Sequence, residues 1–272
     1  DLWMSLAYFI EQKVDYCIIE AGMGGRLDAT TALDYKTCLI TNVGLDHTEY
    51  LGDTFEQIAY EKSGIFKPNV PALTTEDKPE CQKVMELVAD YMKTPLCFID
   101  CQETDVLRWN GMTFHLNPPL YQAKNLSLAL ETLNVLGIWL EENEIQEVID
   151  HFRWAGRYMV LRKDPLVLLD GAHNVHGITA LTHSLKNFTG KIYFSVLKEK
   201  DAPHMIELLQ SISEDITLVE ISSARLYPLE KLGYPIITVD ELISRLLDTK
   251  EDSLLCGSLY YVGEVLEKWG NV

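Results

Sequence analysis

The chain is short of cations, has no cysteine pair at redox spacing and has no long apolar run. Each shortage excludes a class of function. Lysine and arginine number 23 against 41 acidic residues, a formal net charge of −18 at pH 7. Binding a nucleic-acid backbone needs basic patches, so no nucleic-acid partner is expected, although a small anion can still find a locally positive site. No apolar stretch approaches the roughly 20 residues of a membrane-spanning helix and no signal-peptide pattern occurs. A cytoplasmic protein without a membrane partner is the expectation. The six cysteines include no C-x-x-C, so reduced, buried thiols are expected, and Cys97 and Cys101 lack further ligands for a metal. Also absent is G-x-x-x-x-G-K-[ST], the loop whose backbone amides cradle nucleotide phosphates.

What is present suits one large or two ordinary soluble domains: 272 residues, 47% hydrophobic and 24% charged. Three runs organise the first half. DYCIIEAG (Asp15–Gly22) passes into MGGRLDAT (Met23–Thr30), TCLITNVG (Thr37–Gly44) passes into LDHTEYLGD (Leu45–Asp53), and TFEQIAYEKSGIFKP (Thr54–Pro68) follows. Read as parallel strands over Asp15–Ala21 and Thr37–Thr41, the first two deliver Glu20, then Asp46 and His47, to the carboxyl edge where α/β sheets bind ligands. A dinucleotide fingerprint fails, because Gly22 and Gly24 fit G-x-G but Leu27 holds the third glycine position. The glycines are read instead as letting backbone approach a ligand beside Glu20. Glu20 and His47 could share a divalent ion that also binds ATP phosphates; alternatively, His47 is a hydrogen-bonded structural residue.

Thr54 and Gln57 have capping-box spacing and Gly64 can stop a helix, so Thr54–Ser63 reads as helical. Phe55, Ile58, Ala59 and Lys62 share one face of it. A lysine on a buried stripe either snorkels to solvent or has a task.

Downstream, helices read at Asp1–Glu11, Glu80–Tyr91, Tyr121–Leu136 (with Leu126, Ala129, Leu130 and Leu133 as its apolar face) and Glu144–Phe152, the last capped by Asn143. Short strands read at Val70–Leu73 and Leu96–Ile99, and Asn110-Gly111 predicts a hairpin decorating the sheet. A boundary at Trp154 separates residues 1–153 from 154–272. Beyond it, strands at Leu166–Leu169, Ile192–Val196, Thr217–Ile221, Ile236–Val239 and Leu254–Cys256 alternate with helices at Val175–Lys186, Pro203–Ser211, Glu241–Leu247 and Leu259–Trp269. That alternation predicts a parallel α/β sheet.

EAGMGGRLDAT, TNVGLDHTEYLGDT and YEKSGIFKP resemble the central domain of the folylpolyglutamate synthase/dihydrofolate synthase family, within the Mur ligase superfamily. YQAKN (Tyr121–Asn125) is similar to that family's H-Q-x-x-N, with Tyr121 departing, and Trp154-Ala-Gly-Arg157 to its W-P-G-R, with Ala155 for proline. Asp170-Gly-Ala-His173-Asn174 matches D-G-A-H-N, and the runs SVLKEKD and GSLYYVGEV resemble its later motifs. The resemblance implies an α/β fold: an incomplete Mur-type central domain of the phosphate-loop class, then a smaller Rossmann-like domain. It implies ATP and Mg2+ as cofactors, and folate or dihydropteroate plus L-glutamate as substrates, joined through an acyl phosphate by a protein monomeric at full length. By the same resemblance Glu20, His47 and a carbamoylated Lys62 are metal ligands, with Lys62, His47 and Asp46 catalytic. Asn125, Arg157, Asp170 and His173 are nucleotide contacts; otherwise Asn125 faces solvent on a first helical turn and Arg157 is a surface linker residue.

The missing phosphate loop leads to the expectation of an N-terminally incomplete chain that is inactive alone. Two other functions fit the same residues: a Mur-type ligase of cell-wall precursors, or a non-catalytic nucleotide-binding paralogue.

Overall fold

The computed structural model describes residues 2–270. By contact these group into two compact units, Asp1–Thr113 with Ala123–Glu142, and Phe114–Gln122 with Asn143–Val272. Residues 143–153 therefore go with the second unit, ahead of the boundary expected at Trp154.

In the first unit, helix α1 (Leu2–Gln12) precedes a parallel sheet of β1 (Cys38–Ile40), β2 (Ala72–Thr74) and β3 (Leu96–Phe98) in that order. Cys38 is level with Ala72, and Ala72 with Leu96. α2 (Thr48–Leu51), α3 (Phe55–Ser63) and α4 (Pro79–Met92) fill the connections. Ile40, Ile58, Ala59, Phe66 and Met85 meet in the core beneath them. Burying a side chain of Ile or Met size contributes roughly 1.5–3 kcal/mol, so α3 is held by Ile58 and Ala59 rather than by propensity.

The strand expected over Asp15–Ala21 does not form. The segment joins no β-ladder among the described residues and Ile18 is 94% exposed. Apolar composition favours a strand, but a strand exists only where a neighbour takes its amides and carbonyls.

β4 (Val106–Trp109) and β5 (Met112–His115) pair as a two-stranded sheet of their own rather than extending the larger one. Asn110 and Gly111 both have positive φ (47° and 83°), the signature of a type I′ turn. α5 (Gln122–Leu136) is rotated from the expected face: Leu130 is buried as expected and Ala123, Ser127 and Leu128 are buried with it, whereas Leu126 and Leu133 are only partly covered and Ala129 is exposed. Ser127 can be buried because its hydroxyl lies 3.0 Å from the Cys101 sulfur, so a satisfied polar atom overrides the apolar stripe. α6 (Glu142–His151) begins one residue before Asn143, which therefore sits within the first turn rather than capping it.

The second unit holds β6 (Met159–Lys163), β7 (Leu166–Asp170), β8 (Lys191–Phe194), β9 (Ile216–Glu220), β10 (Ile236–Thr238) and β11 (Ser253–Cys256), in the order β10-β9-β8-β11-β7-β6. All neighbours are parallel except β6, an antiparallel edge on β7 that its half-exposed sequence did not announce. Side chains alternate across the sheet. Leu168, Ile192 and Phe194 meet α7 (Val175–Ser184) and α8 (Ala202–Gln210) on one face. Leu169, Tyr193 and Leu255 meet α9 (Val239–Asp248) and α10 (Leu259–Trp269) on the other. This doubly covered parallel sheet is the expected Rossmann-like architecture. No helix among the described residues is long and apolar enough to cross a membrane.

Candidate active site

In the first unit the site is built around the end of α3. Thr54 caps the helix, its side chain accepting from the Gln57 amide (3.2 Å) while Gln57 Oε1 accepts from the Thr54 amide (3.2 Å). The capping box sets the phase that buries Ile58 and Ala59 and leaves Lys62 half-buried one turn later. Burial pushes the Lys62 ammonium below its usual pKa, and the charges of Asp46 and Glu20 oppose that shift. Asp46 and Glu20 are thus the carboxylates whose charge reaches Lys62.

The glycine-rich loop packs on the same helix end. The Arg26 amide donates to the Glu61 carbonyl (2.8 Å), and the Arg26 guanidinium donates twice to Glu61 Oε1 (3.0 and 2.8 Å). A Cβ on Gly25 would fall 2.8 Å from the Lys62 carbonyl, and one on Gly64 would fall 2.3 Å from Arg26 Cα. These two glycines therefore serve close approach of backbone to backbone. Gly64 has an ordinary right-handed φ of −61°, so the helix needs glycine there for contact and not for a left-handed turn.

Asp28 shapes the loop from within. Its carboxylate accepts from the Gly22 amide (2.9 Å) and from both the amide (2.9 Å) and hydroxyl (2.6 Å) of Thr30. The Thr30 hydroxyl first, then these amides, hold the carboxyl below its usual range. Asp28 caps the short 3-10 turn Ala29–Ala32, and Asp before Ala-Thr-Thr was the signal available for it.

Asp46 and His47 follow β1. Asp46 Oδ1 accepts from the His47 amide (2.9 Å), and His47 adopts a left-handed backbone (φ 51°, ψ 38°) as the N-cap of α2. Its ring is exposed, as is Glu20 at the loop's entry. Among the described residues no three His, Cys, Asp or Glu side chains converge as a metal cage. Two donors fit Mg2+ better than a cage would, because that ion keeps waters and is completed by substrate phosphates. Glu20 offers a carboxylate of the kind such a site uses and His47 an imidazole nitrogen, both open to solvent. On α5, Asn125 is exposed in the first turn.

In the second unit Trp154-Ala155-Gly156-Arg157 closes as a turn, the Arg157 amide donating to the Trp154 carbonyl (3.0 Å) with Gly156 at φ 73°. Positive φ at the third position is the type II pattern, in which proline is common at the second, the place Ala155 holds. Gly156 accepts the Gly171 amide (2.7 Å), and a Cβ on Gly171 would meet Arg157 Nη1 at 2.4 Å. The turn therefore lies directly on the exit of β7. Asp170, 2% exposed at that exit, accepts from the Tyr158 amide and from the Ala172 amide, both at 2.7 Å. Burial raises its pKa in spite of those bonds. Tyr158 has φ 44°, unusual for a bulky residue, and the Asp170 bond holds it there. Burial also raises the Tyr121 hydroxyl, with the Asp170 charge adding to the effect and Arg157 opposing it. His173 Nδ1 is 2.9 Å from the Gly171 carbonyl, and Asn174 caps α7 by accepting from Gly177 (2.8 Å). Arg157, Asp170, His173 and Tyr121 thus belong to one neighbourhood, in which Tyr121 and Tyr158 had not been singled out as site residues.

Residues 1–116 match the Mur ligase middle domain family. The chain is 32% identical to the dihydrofolate synthase/folylpolyglutamate synthase of Buchnera aphidicola subsp. Acyrthosiphon pisum, over 96% of this chain and 69% of that protein. It is 30% identical to the Escherichia coli protein of the same name, over 98% and 67%. Its fold superposes on Escherichia coli FolC in complex with ADP with a TM-score of 0.85 at 29% identity, covering 98% of this chain and 70% of that one. A Yersinia pestis bifunctional folylpolyglutamate synthase/dihydrofolate synthase complexed with AMPPNP and Mn ion superposes at 0.83, with 25% identity and coverage of 98% and 69%. The chain thus spans about two thirds of the length of these relatives.

Proposed function

The chain belongs to the dihydrofolate synthase/folylpolyglutamate synthase family, and from that membership we propose that it serves an ATP-dependent ligase adding L-glutamate to folate or dihydropteroate. ATP phosphorylates a substrate carboxylate. The glutamate amine then attacks the acyl phosphate, loses a proton and expels inorganic phosphate. A divalent metal, when bound, neutralises phosphate charge during both transfers.

The observation that carries this reading is half-buried Lys62 within reach of the charges of Asp46 and Glu20. A depressed ammonium pKa leaves more of the neutral amine, the form that adds carbon dioxide and releases a proton to give an anionic carbamate. Carbamoylated Lys62, Glu20 and His47 would then hold the metal, with Asp46 fixing the His47 backbone. Asn125, Arg157, Asp170 and His173 are assigned to the nucleotide. Arg157 offers planar donors to phosphate oxygens, and Asp170 acts through the turn that carries Arg157.

A cytoplasmic, monomeric protein without nucleic-acid or membrane partners completes the proposal. So does weak turnover by these 272 residues alone, since none of them forms a G-x-x-x-x-G-K-[ST] loop. The test is incorporation of labelled glutamate by the intact protein with ATP and Mg2+, offered tetrahydrofolate and dihydropteroate separately. Product is expected with at least one, and absence of product with both sinks the reading.

A further inference from the structure

The segment after β2, Glu76-Asp77-Lys78, is tied to several places at once. Glu76 lies at the carboxyl edge of the three-stranded sheet and is only 2% exposed. Its Oε2 accepts the Val43 amide, and its Oε1 accepts the Lys78 amide (2.8 Å) and ammonium (3.2 Å). The same ammonium donates to the Val43 carbonyl (3.0 Å). One carboxylate–ammonium pair therefore satisfies both backbone polar groups of Val43, a residue with no exposed surface. Beside it the Thr75 hydroxyl donates to the Thr41 carbonyl (2.7 Å).

The pair also reaches the lysine-bearing helix. Lys78 Nζ lies 5.3 Å from the centre of the Phe55 ring, and Phe55 opens α3 one face and two turns before Lys62. Asp77 extends the brace to α5, its carboxylate 2.7 Å from Lys124, the neighbour of Asn125. None of the three residues has a chemical task in the reaction proposed above. A buried carboxylate is a demanding way to tie down a loop, because its desolvation must be met by its partners. Here the partners are the exits that carry the candidate ligands.

We propose that Glu76 and Lys78 are positioning residues for the metal-bearing edge. Through Val43 they hold the β1 exit from which Asp46 and His47 extend, and through Phe55 they hold the helix that presents Lys62. The inference rests on the reading of Glu20, His47 and Lys62 as the metal set.

The test uses Mn2+ as the probe, titrated in the presence of ADP and followed by electron paramagnetic resonance of the free ion, on the intact protein. Thermal unfolding is recorded alongside. Glu76→Gln keeps an acceptor for only one of the Val43 and Lys78 amides and removes the charge that orders the Lys78 ammonium. It is expected to weaken Mn2+ binding about tenfold or more, the scale seen when outer supports of metal ligands are removed, measured well below the melting midpoint, where the variant is still folded although the amide left facing the NH2 group lowers that midpoint. Lys78→Met should do the same, and Lys78→Arg should restore part of the loss. Lys191→Met, which breaks the Lys191–Glu251 pair in the second unit (3.0 Å), serves as the control and should leave Mn2+ affinity unchanged. If Glu76→Gln and Lys78→Met bind Mn2+ within twofold of wild type while Glu20→Gln and His47→Ala bind it weakly, the positioning role falls and the metal set stands. If Glu20→Gln and His47→Ala leave binding unchanged, the metal set falls and takes the inference with it.

Discussion

The Cα of Gly64 lies so close to Arg26 that a Cβ on the glycine would stand 2.3 Å from the Arg26 Cα. The glycine-rich loop thereby rests on the helix that carries Lys62, and the two are positioned as one body. Gly64→Ala should force them apart at a cost of about 1–3 kcal/mol, the scale of overpacking. Gly233→Ala, where nothing lies within 4 Å but φ is 77°, should cost only the left-handed backbone penalty of about 1 kcal/mol. Urea midpoints separate the two, and only Gly64→Ala should also lower ligase activity.

Lys62 trades stability for chemistry. Its folded pKa is depressed by burial, so the charged form is penalised in the folded protein. That penalty is full at pH values below the folded pKa. Between the folded pKa and the unfolded value near 10.4 the unfolded chain binds the extra proton, so stability rises with pH there. Lys62→Met should therefore be more stable than wild type at neutral pH and inactive as a ligase. The stability gap should narrow as pH rises toward 10, measured as urea midpoints across the range in buffer freed of carbon dioxide.

Asp170 accepts two backbone amides with its two oxygens. In Asp170→Asn one of those amides must face an NH2 group, leaving a buried donor unpaired at about 1–3 kcal/mol. The left-handed Tyr158 should relax with it and displace Arg157. Calorimetric titration with ADP should show weaker binding, and Asp170→Glu should not rescue it because the longer side chain cannot keep both bonds.

Thr54→Ala removes the capping side chain of α3 and should cost about 1 kcal/mol. Thr54→Ser should restore most of it. Lys62 lies at the far end of that helix, so the melting temperature should fall while Mn2+ affinity changes little, unlike the effect expected at Glu76.

The second unit was legible in the sequence almost throughout, because its central strands β7, β8 and β11 are continuous apolar runs buried on both faces and its helices carry their own caps at Asn174, Asp201, Thr238 and Ser258. β6 escaped, since an edge strand with a register shift between Val160 and Arg162 shows no clean alternation, and so did the short 3-10 turn Leu229–Leu232. In the first unit, local rules located α3 and its cap, the Asn110-Gly111 turn and the inward lean of Lys62. They failed at Asp15–Ala21, where strand formation depends on a partner, and on α5, where a Ser127–Cys101 contact overrode the apolar stripe.

The candidate site divides in the same way. Sequence spacing by itself determined that Asp46 and His47 follow β1, that Asp170 ends β7 and that Lys62 shares a face with Ile58 and Ala59, because periods of two and 3.6 residues follow from backbone geometry alone; the strand expected to carry Glu20 does not form. Only the tertiary structure decided that Gly25 and Gly64 serve contact with backbone, that Asp170 props Tyr158, and that Glu76 and Lys78 close over Val43 from 33 and 35 residues away. Those relations are made by hydrogen bonds and close packing between distant segments. No local period encodes them, and they exist only once the chain has brought the segments together.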